Sequence, residues 1–168
     1  MSFSIIVAVA DNNAIGLNNQ LLCHIPGDLK RFKQITTGHR VIMGRNTWLS
    51  LPNRPLKDRI NIVITDRPDE SFPGCLMARS VEEVLELCPA GDECFIIGGA
   101  MVYRQFLHLA DKLYLTRVFK SFEADTYFPE ISLQEWEETG SETYAAEGQE
   151  GFAFAYITYR RIKAGKLS

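Results

Sequence analysis

Apolar and polar positions fall into two textures along this chain. Through the first two-thirds, short aliphatic runs at 3–9 (FSIIVAV), 40–43 (RVIM), 60–65 (INIVIT), 75–79 (CLMAR) and 94–97 (CFII) alternate with helix-like segments. Runs of that length, rich in β-branched residues, are the pattern of strands buried on both faces. Between them, Leu29, Phe32 and Ile35 recur every third position, and Val81, Val84, Leu85 and Cys88 follow Ser80. Ser80 with Glu83 three residues on is a capping-box signal and bounds that second helix. Another helix opens at Arg45, and one over about 99–108 follows "IIGG" directly.

Beyond residue 110 the texture changes. "KLYLTRVF", "QEWEETGSETYA" and "FAFAYITYRR" alternate as half-exposed strands do, the last two separated by the turn-rich "AEGQEG". The expectation is an α/β fold. Its central sheet is mixed, eight-stranded and mostly parallel, with an antiparallel C-terminal hairpin at one edge and about four helices on its two faces. One domain over 1–168 is expected, since no repeat, linker or low-complexity segment breaks the chain. In such sheets ligands sit at the carboxyl ends of the strands, so the chemistry is sought there.

Composition narrows the class. The 168 residues are 46% hydrophobic and 23% charged, with a net charge of −3, which argues against a nucleic-acid surface. The basic tail "RRIKAGK" lacks interleaved aromatics and reads as a solvated end. The apolar start Ile5–Ala10 is too short for a membrane helix and has no basic residue before it, so a cytoplasmic location is the default expectation. Cys23, Cys75, Cys88 and Cys94 form no CxxC pair and have no histidine at ligand spacing; reduced thiols and no metal site are expected.

Several strand ends carry residues suited to anions. In "CFIIGGAMVYRQF" a double glycine joins strand to helix, letting backbone N–H groups approach an anion closely. "VIMGRNTW" repeats the idea with Gly44, Arg45, Asn46 and Thr47, and "VITDRP" places Thr65, Asp66 and Arg67 just past a strand. Each could be a tight turn without a ligand. Three together suit a dinucleotide with a further phosphate on its ribose. In "RPLKDR", Arg59 before a buried strand can clamp a carboxylate or simply pair with a surface acid. Asp28, at the start of a helix in "IPGDLKRFK", can be a dipole-stabilised acid or a poorly solvated carboxylate awaiting a cationic or hydrogen-bonding ligand.

Taken in order, "IVAVADNNAIG", "IPGDLKRFK", "GHRVIMGRNTW", "RPLKDRINIVIT", "FIIGGAMVYRQFL", "ADKLYLTRV" and "EADTYFP" resemble the dihydrofolate reductase family over nearly the whole chain. The resemblance implies NADPH-dependent reduction of 7,8-dihydrofolate to tetrahydrofolate in a monomer. It also implies binding of antifolates such as trimethoprim and methotrexate. It casts Asp28 as the carboxylate at the pterin, hydrogen-bonded by Thr116. Ile6, Val7, Ala8 and Phe32 would form the pterin pocket, with Leu29, Leu51 and Leu56 along the benzoyl group and Arg59 on the glutamate carboxylate. Ile97, Gly98, Gly99, Ala100, Met101 and Val102 would form the pyrophosphate turn, its Gly98–Gly99 bond cis. Gly44, Arg45, Asn46 and Thr47 would bind phosphates, and Thr65, Asp66 and Arg67 would lie at the 2′-phosphate. Ala8, Ile15, Gly16 and Tyr103 would border the nicotinamide. Leu21 and Cys23 would belong to a closing loop over 14–24, and Asp125, in another loop, would support its closure.

Three departures from the family pattern stand out. Cys23 replaces a tryptophan, Ala124 replaces a common glycine, and Asp66 brings negative charge beside the 2′-phosphate region. Two other readings remain open at this point: a same-fold pyrimidine reductase of riboflavin synthesis, and a nucleotide- or antifolate-binding protein without catalysis. The former has no use for Asp28 with Thr116, or for Arg59.

Overall fold

A computed structural model describes residues 2–16, 28–145 and 152–162. Its first strand, β1 (Ser2–Ala10), is followed by the short β2 (Ala14–Gly16), then α1 (Asp28–Thr36), β3 (Arg40–Gly44) and α2 (Arg45–Ser50). Next come β4 (Ile60–Ile64), β5 (Leu76–Ala78), α3 (Val81–Glu86), β6 (Glu93–Gly98) and α4 (Ala100–Phe106), which runs into one 3₁₀ turn. The last described elements are β7 (Ala110–Val118), β8 (Thr126–Tyr127), β9 (Trp136–Tyr144) and β10 (Phe154–Arg161).

Eight strands form one sheet in the order β5-β4-β3-β6-β1-β7-β10-β9, and β2 pairs with β8 in a small second sheet. The first six strands of that order pair in parallel, and β10 is antiparallel to both β7 and β9. The expected architecture is present, with four α-helices among the described residues. From β1 the chain steps through β3 and β4 to the β5 edge, then reverses through β6 to β7. Parallel crossovers are right-handed, so that reversal sends the helices of the two halves to opposite faces.

The cores reflect this. Ile5, Val7 and Val9 of β1 pack with Val84 of α3 and Val102, Tyr103 and Phe106 of α4 on one face. Val41, Met43, Val63 and Phe95 pack with Trp48 of α2 on the other, joined by Ile35 of α1, Ile6, Leu51 and Leu56. The strand runs are fully buried because both faces are covered; Ile42, Ile62, Phe95 and Ile96 have no exposed surface. Cys88 and Cys94 are buried free thiols and Cys75 is half-buried and free. No helix among the described residues is long and apolar enough to cross a membrane.

Ser80 caps α3 as its sequence indicates: its hydroxyl accepts from the Glu83 backbone N–H at 3.1 Å. The Glu83 carboxylate reaches one residue beyond the usual reciprocal partner and accepts from the Arg79 N–H at 2.6 Å. Ser80→Ala is expected to cost about 1 kcal/mol, read as a lower urea midpoint at unchanged slope. An unchanged midpoint would remove the cap from the account of α3.

Candidate active site

The candidate site lies on the sheet face that carries α1 and α2. Asp28 is the first residue of α1 and is half-buried. The Thr116 hydroxyl, 3% exposed in the middle of the sheet, donates to Asp28 Oδ1 at 3.1 Å. Register explains what surrounds this pair. Ala8 of β1 lies beside Thr116 of β7, and Thr116 lies beside Tyr156 of β10, so the three side chains share a face. Ile6 sits on that face beside Tyr114. Arg31, one turn along α1 from Asp28, places its guanidinium carbon 4.0 Å from the Tyr156 ring centroid. Burial raises the Tyr156 phenol above its ordinary range; the negative charge of Asp28 adds to this and Arg31 opposes it.

Val7 departs from its expected surroundings. It is 6% exposed within the core of the opposite face, so only its backbone is available to the cleft. Leu29 projects from α1 into solvent, whereas Phe32, Leu51 and Leu56 are half-buried along the cleft side.

Arg59 stands at the far end of α1. Its Nη1 donates to Thr36 Oγ1 at 3.2 Å, its Nε donates to the Lys57 carbonyl at 2.8 Å, and its guanidinium lies 5.7 Å from the Phe32 ring centroid. Partial burial lowers the guanidinium pKa from its ordinary value, with the Asp58 charge opposing. At 1.5 Å per residue, α1 separates Asp28 from Thr36 by about 12 Å. A carboxylate and a cation thus stand at the two ends of α1.

The strand ends β3, β4 and β6 lie beside this site. The Gly98–Gly99 peptide is cis, and Gly98 has φ +133°. A side-chain carbon on Gly98 would come within 3.2 Å of Thr47 Oγ1 and 3.4 Å of the Tyr103 hydroxyl; on Gly44 it would meet Val102 Cγ2 at 3.1 Å. Glycine at both positions keeps a cradle open between the ends of β3 and β6. Tyr103, buried in the first turn of α4, donates to the Ile6 carbonyl at 3.0 Å and packs edge-on against Phe128. Burial pushes its phenol pKa well up, so it remains a donor. Ile97 and Ala100 are half-buried, while Met101 and Asn46 are exposed at the rim.

Past β4, Thr65 is buried, and Asp66 and Arg67 are exposed. Arg45 Nε donates to Glu70 Oε2 at 2.6 Å, and Thr65 Oγ1 donates to Glu70 Oε1 at 2.9 Å. The Arg45 hydrogen bond is the first cause that holds the Glu70 carboxyl below the usual carboxylate range. Burial opposes it, and Thr65 and the charges of Arg45 and Arg67 add to it.

Ile15 and Gly16 lie on β2, whose partner β8 follows Asp125; the Asp125 N–H donates to the Gly16 carbonyl at 3.1 Å. Leu21 and Cys23 lie outside the described residues. Among the described residues no cluster of His, Cys, Asp and Glu could hold a metal ion. The small β2–β8 sheet, the Arg31–Tyr156 stack and the Glu70 contacts went unread in the sequence.

Comparison with known proteins gives the family. A family model for dihydrofolate reductase matches residues 2–161. The chain belongs to the dihydrofolate reductase family. Among its relatives, a dihydrofolate reductase of Bacillus subtilis (strain 168) is 40% identical over 163 residues, 97% of this chain and 96% of that protein. One from Neisseria gonorrhoeae is 41% identical over 159 residues, covering 95% and 98% of the two chains. A solved dihydrofolate reductase from Enterococcus faecalis, complexed with NADP(H) and RAB-propyl, superposes with a TM-score of 0.88 at 34% identity, covering 96% of this chain and 97% of that one.

Proposed function

We propose that this chain reduces 7,8-dihydrofolate to 5,6,7,8-tetrahydrofolate with NADPH, using Asp28 to promote protonation of the pterin N5. The observation that carries the reading is the Asp28–Thr116 hydrogen bond on the cleft floor. Reduction of a C=N bond needs electron demand at carbon, and a proton on nitrogen creates it. Asp28 accepts from the pterin amino group and ring N–H, which favours the protonated pterin; water delivers the proton to N5. Thr116 fixes the carboxylate by donating to Asp28 Oδ1. Ile6, Ala8 and Phe32 exclude water around the pterin, and Leu51 and Leu56 border the benzoyl group. Arg59 clamps the glutamate carboxylate as a guanidinium fork.

The donor set fits NADPH. Arg45, Asn46, Thr47, Thr65 and Arg67 are suited to its phosphates, and the open cradle at Gly44, Gly98 and Gly99 admits close backbone approach to the pyrophosphate. When bound, NADPH supplies the hydride that adds to pterin C6. Diaminopyrimidine antifolates would bind as cations against Asp28. The test is a spectrophotometric assay in which NADPH is oxidised only when dihydrofolate is present, with one tetrahydrofolate formed per NADPH. Tight binding of both compounds without turnover would assign the chain to binding alone.

A further inference from the structure

The loop between β4 and β5 turns a carboxylate into the region expected to receive the 2′-phosphate. Glu70 takes a hydrogen bond at each oxygen, from Arg45 Nε at 2.6 Å and from the Thr65 hydroxyl at 2.9 Å. Its side chain is 12% exposed and that of Arg45 34%. The loop is held in this shape by Arg79, whose Nη2 donates to the carbonyls of Glu70 at 2.8 Å and Pro68 at 3.1 Å. A further bond runs from the Glu70 N–H to the Arg67 carbonyl at 3.3 Å. Arg79 Nη1 is buried beside this loop with no hydrogen-bond partner among the described residues. The contact is a built one: three elements, the start of α2, the end of β4 and the residue before Ser80, converge on a single glutamate.

We infer that Glu70 sets cofactor preference by occupying the anion cradle of Arg45 and Thr65, so that a 2′-phosphate must displace it whereas a free 2′-hydroxyl need not. This rests on the proposed NADPH-dependent reading. A phosphate dianion entering there breaks the Arg45–Glu70 pair and meets a second negative charge at Asp66, exposed on the same loop. A nucleotide with an unesterified ribose avoids both costs and presents a hydroxyl that a carboxylate can accept from, the arrangement by which acidic residues recognise such riboses. Discrimination between the two cofactors is therefore narrower in this chain than Arg45, Thr65 and Arg67 alone would make it.

The test is calorimetric titration of the unliganded protein with NADPH and with NADH, without folate, for wild type, Glu70→Gln and Glu70→Ser. Both variants should bind NADPH about three- to twentyfold more tightly, as expected for freeing one charge-assisted pair. NADH affinity should be unchanged or reduced, so the ratio of the two dissociation constants widens. A ratio equal to that of wild type in whichever variant folds would overturn the inference while leaving the proposed function standing. Wild type that binds neither nucleotide would instead overturn the proposed function itself.

Discussion

Asp28→Asn is expected to lower turnover at neutral pH by about a hundred- to ten-thousand-fold, the range for loss of acid–base assistance, with NADPH affinity nearly unchanged. The amide still reaches the pterin and can still accept from Thr116, but it carries no charge to favour a proton on the ring. As pH falls, solvent protonates the substrate directly, so the variant recovers part of its rate while wild type gains much less. The shapes of the two pH profiles are thus as informative as their heights. Turnover of the variant within a few-fold of wild type at neutral pH would remove Asp28 from this role. A diaminopyrimidine antifolate should weaken in parallel; unchanged affinity would count against its binding as a cation.

Arg59→Leu is expected to raise the KM for dihydrofolate by about ten- to a hundredfold, equivalent to the ~1.5–3 kcal/mol of a hydrogen bond to a charged group. Its kcat should change little, because a carboxylate clamp binds ground and transition states alike. A truncated pterin without the glutamate separates this from a structural effect. Arg59 also ties the end of α1 through Thr36 and lies against Phe32, so its loss could loosen the helix itself. If the truncated substrate suffers equally, Arg59 acts as a fold residue and the clamp assignment is wrong.

The strands were legible because sheets covered on both faces demand uninterrupted apolar runs, and IVI in β4 and CFII in β6 are such runs. The same property concealed which way each side chain points. In "IIVAVA" every position is apolar, so only the register of β1 beside β7 shows that Ile6 and Ala8 face the cleft while Val7 does not. The β2 and β8 strands span three residues and two, too short for any periodicity to register. Ser80 was readable because its partner lies three residues away; Asp28 and Thr116 lie 88 apart, and only likeness to a family joined them in advance. Glu70 carried no signal at all. "TDRPDE" reads as a solvated, mixed-charge turn, and its pairing with Arg45 across 25 residues exists only once β3 and β4 are side by side. The closing-loop expectation for Leu21 and Cys23 falls outside the described residues. Asp125 bonds the Gly16 carbonyl through its backbone N–H at 3.1 Å.

Direct hydride reduction of the pterin beside Asp28 is tested most directly by isotope transfer. Wild-type protein is given NADPH fully deuterated at the reactive nicotinamide carbon, together with dihydrofolate in ordinary water. The tetrahydrofolate formed is then read by mass spectrometry and proton NMR. One deuterium retained at C6, with none lost to solvent, is the result the account predicts. Tetrahydrofolate lacking the label at C6, or NADPH oxidised with dihydrofolate recovered unchanged, would contradict it.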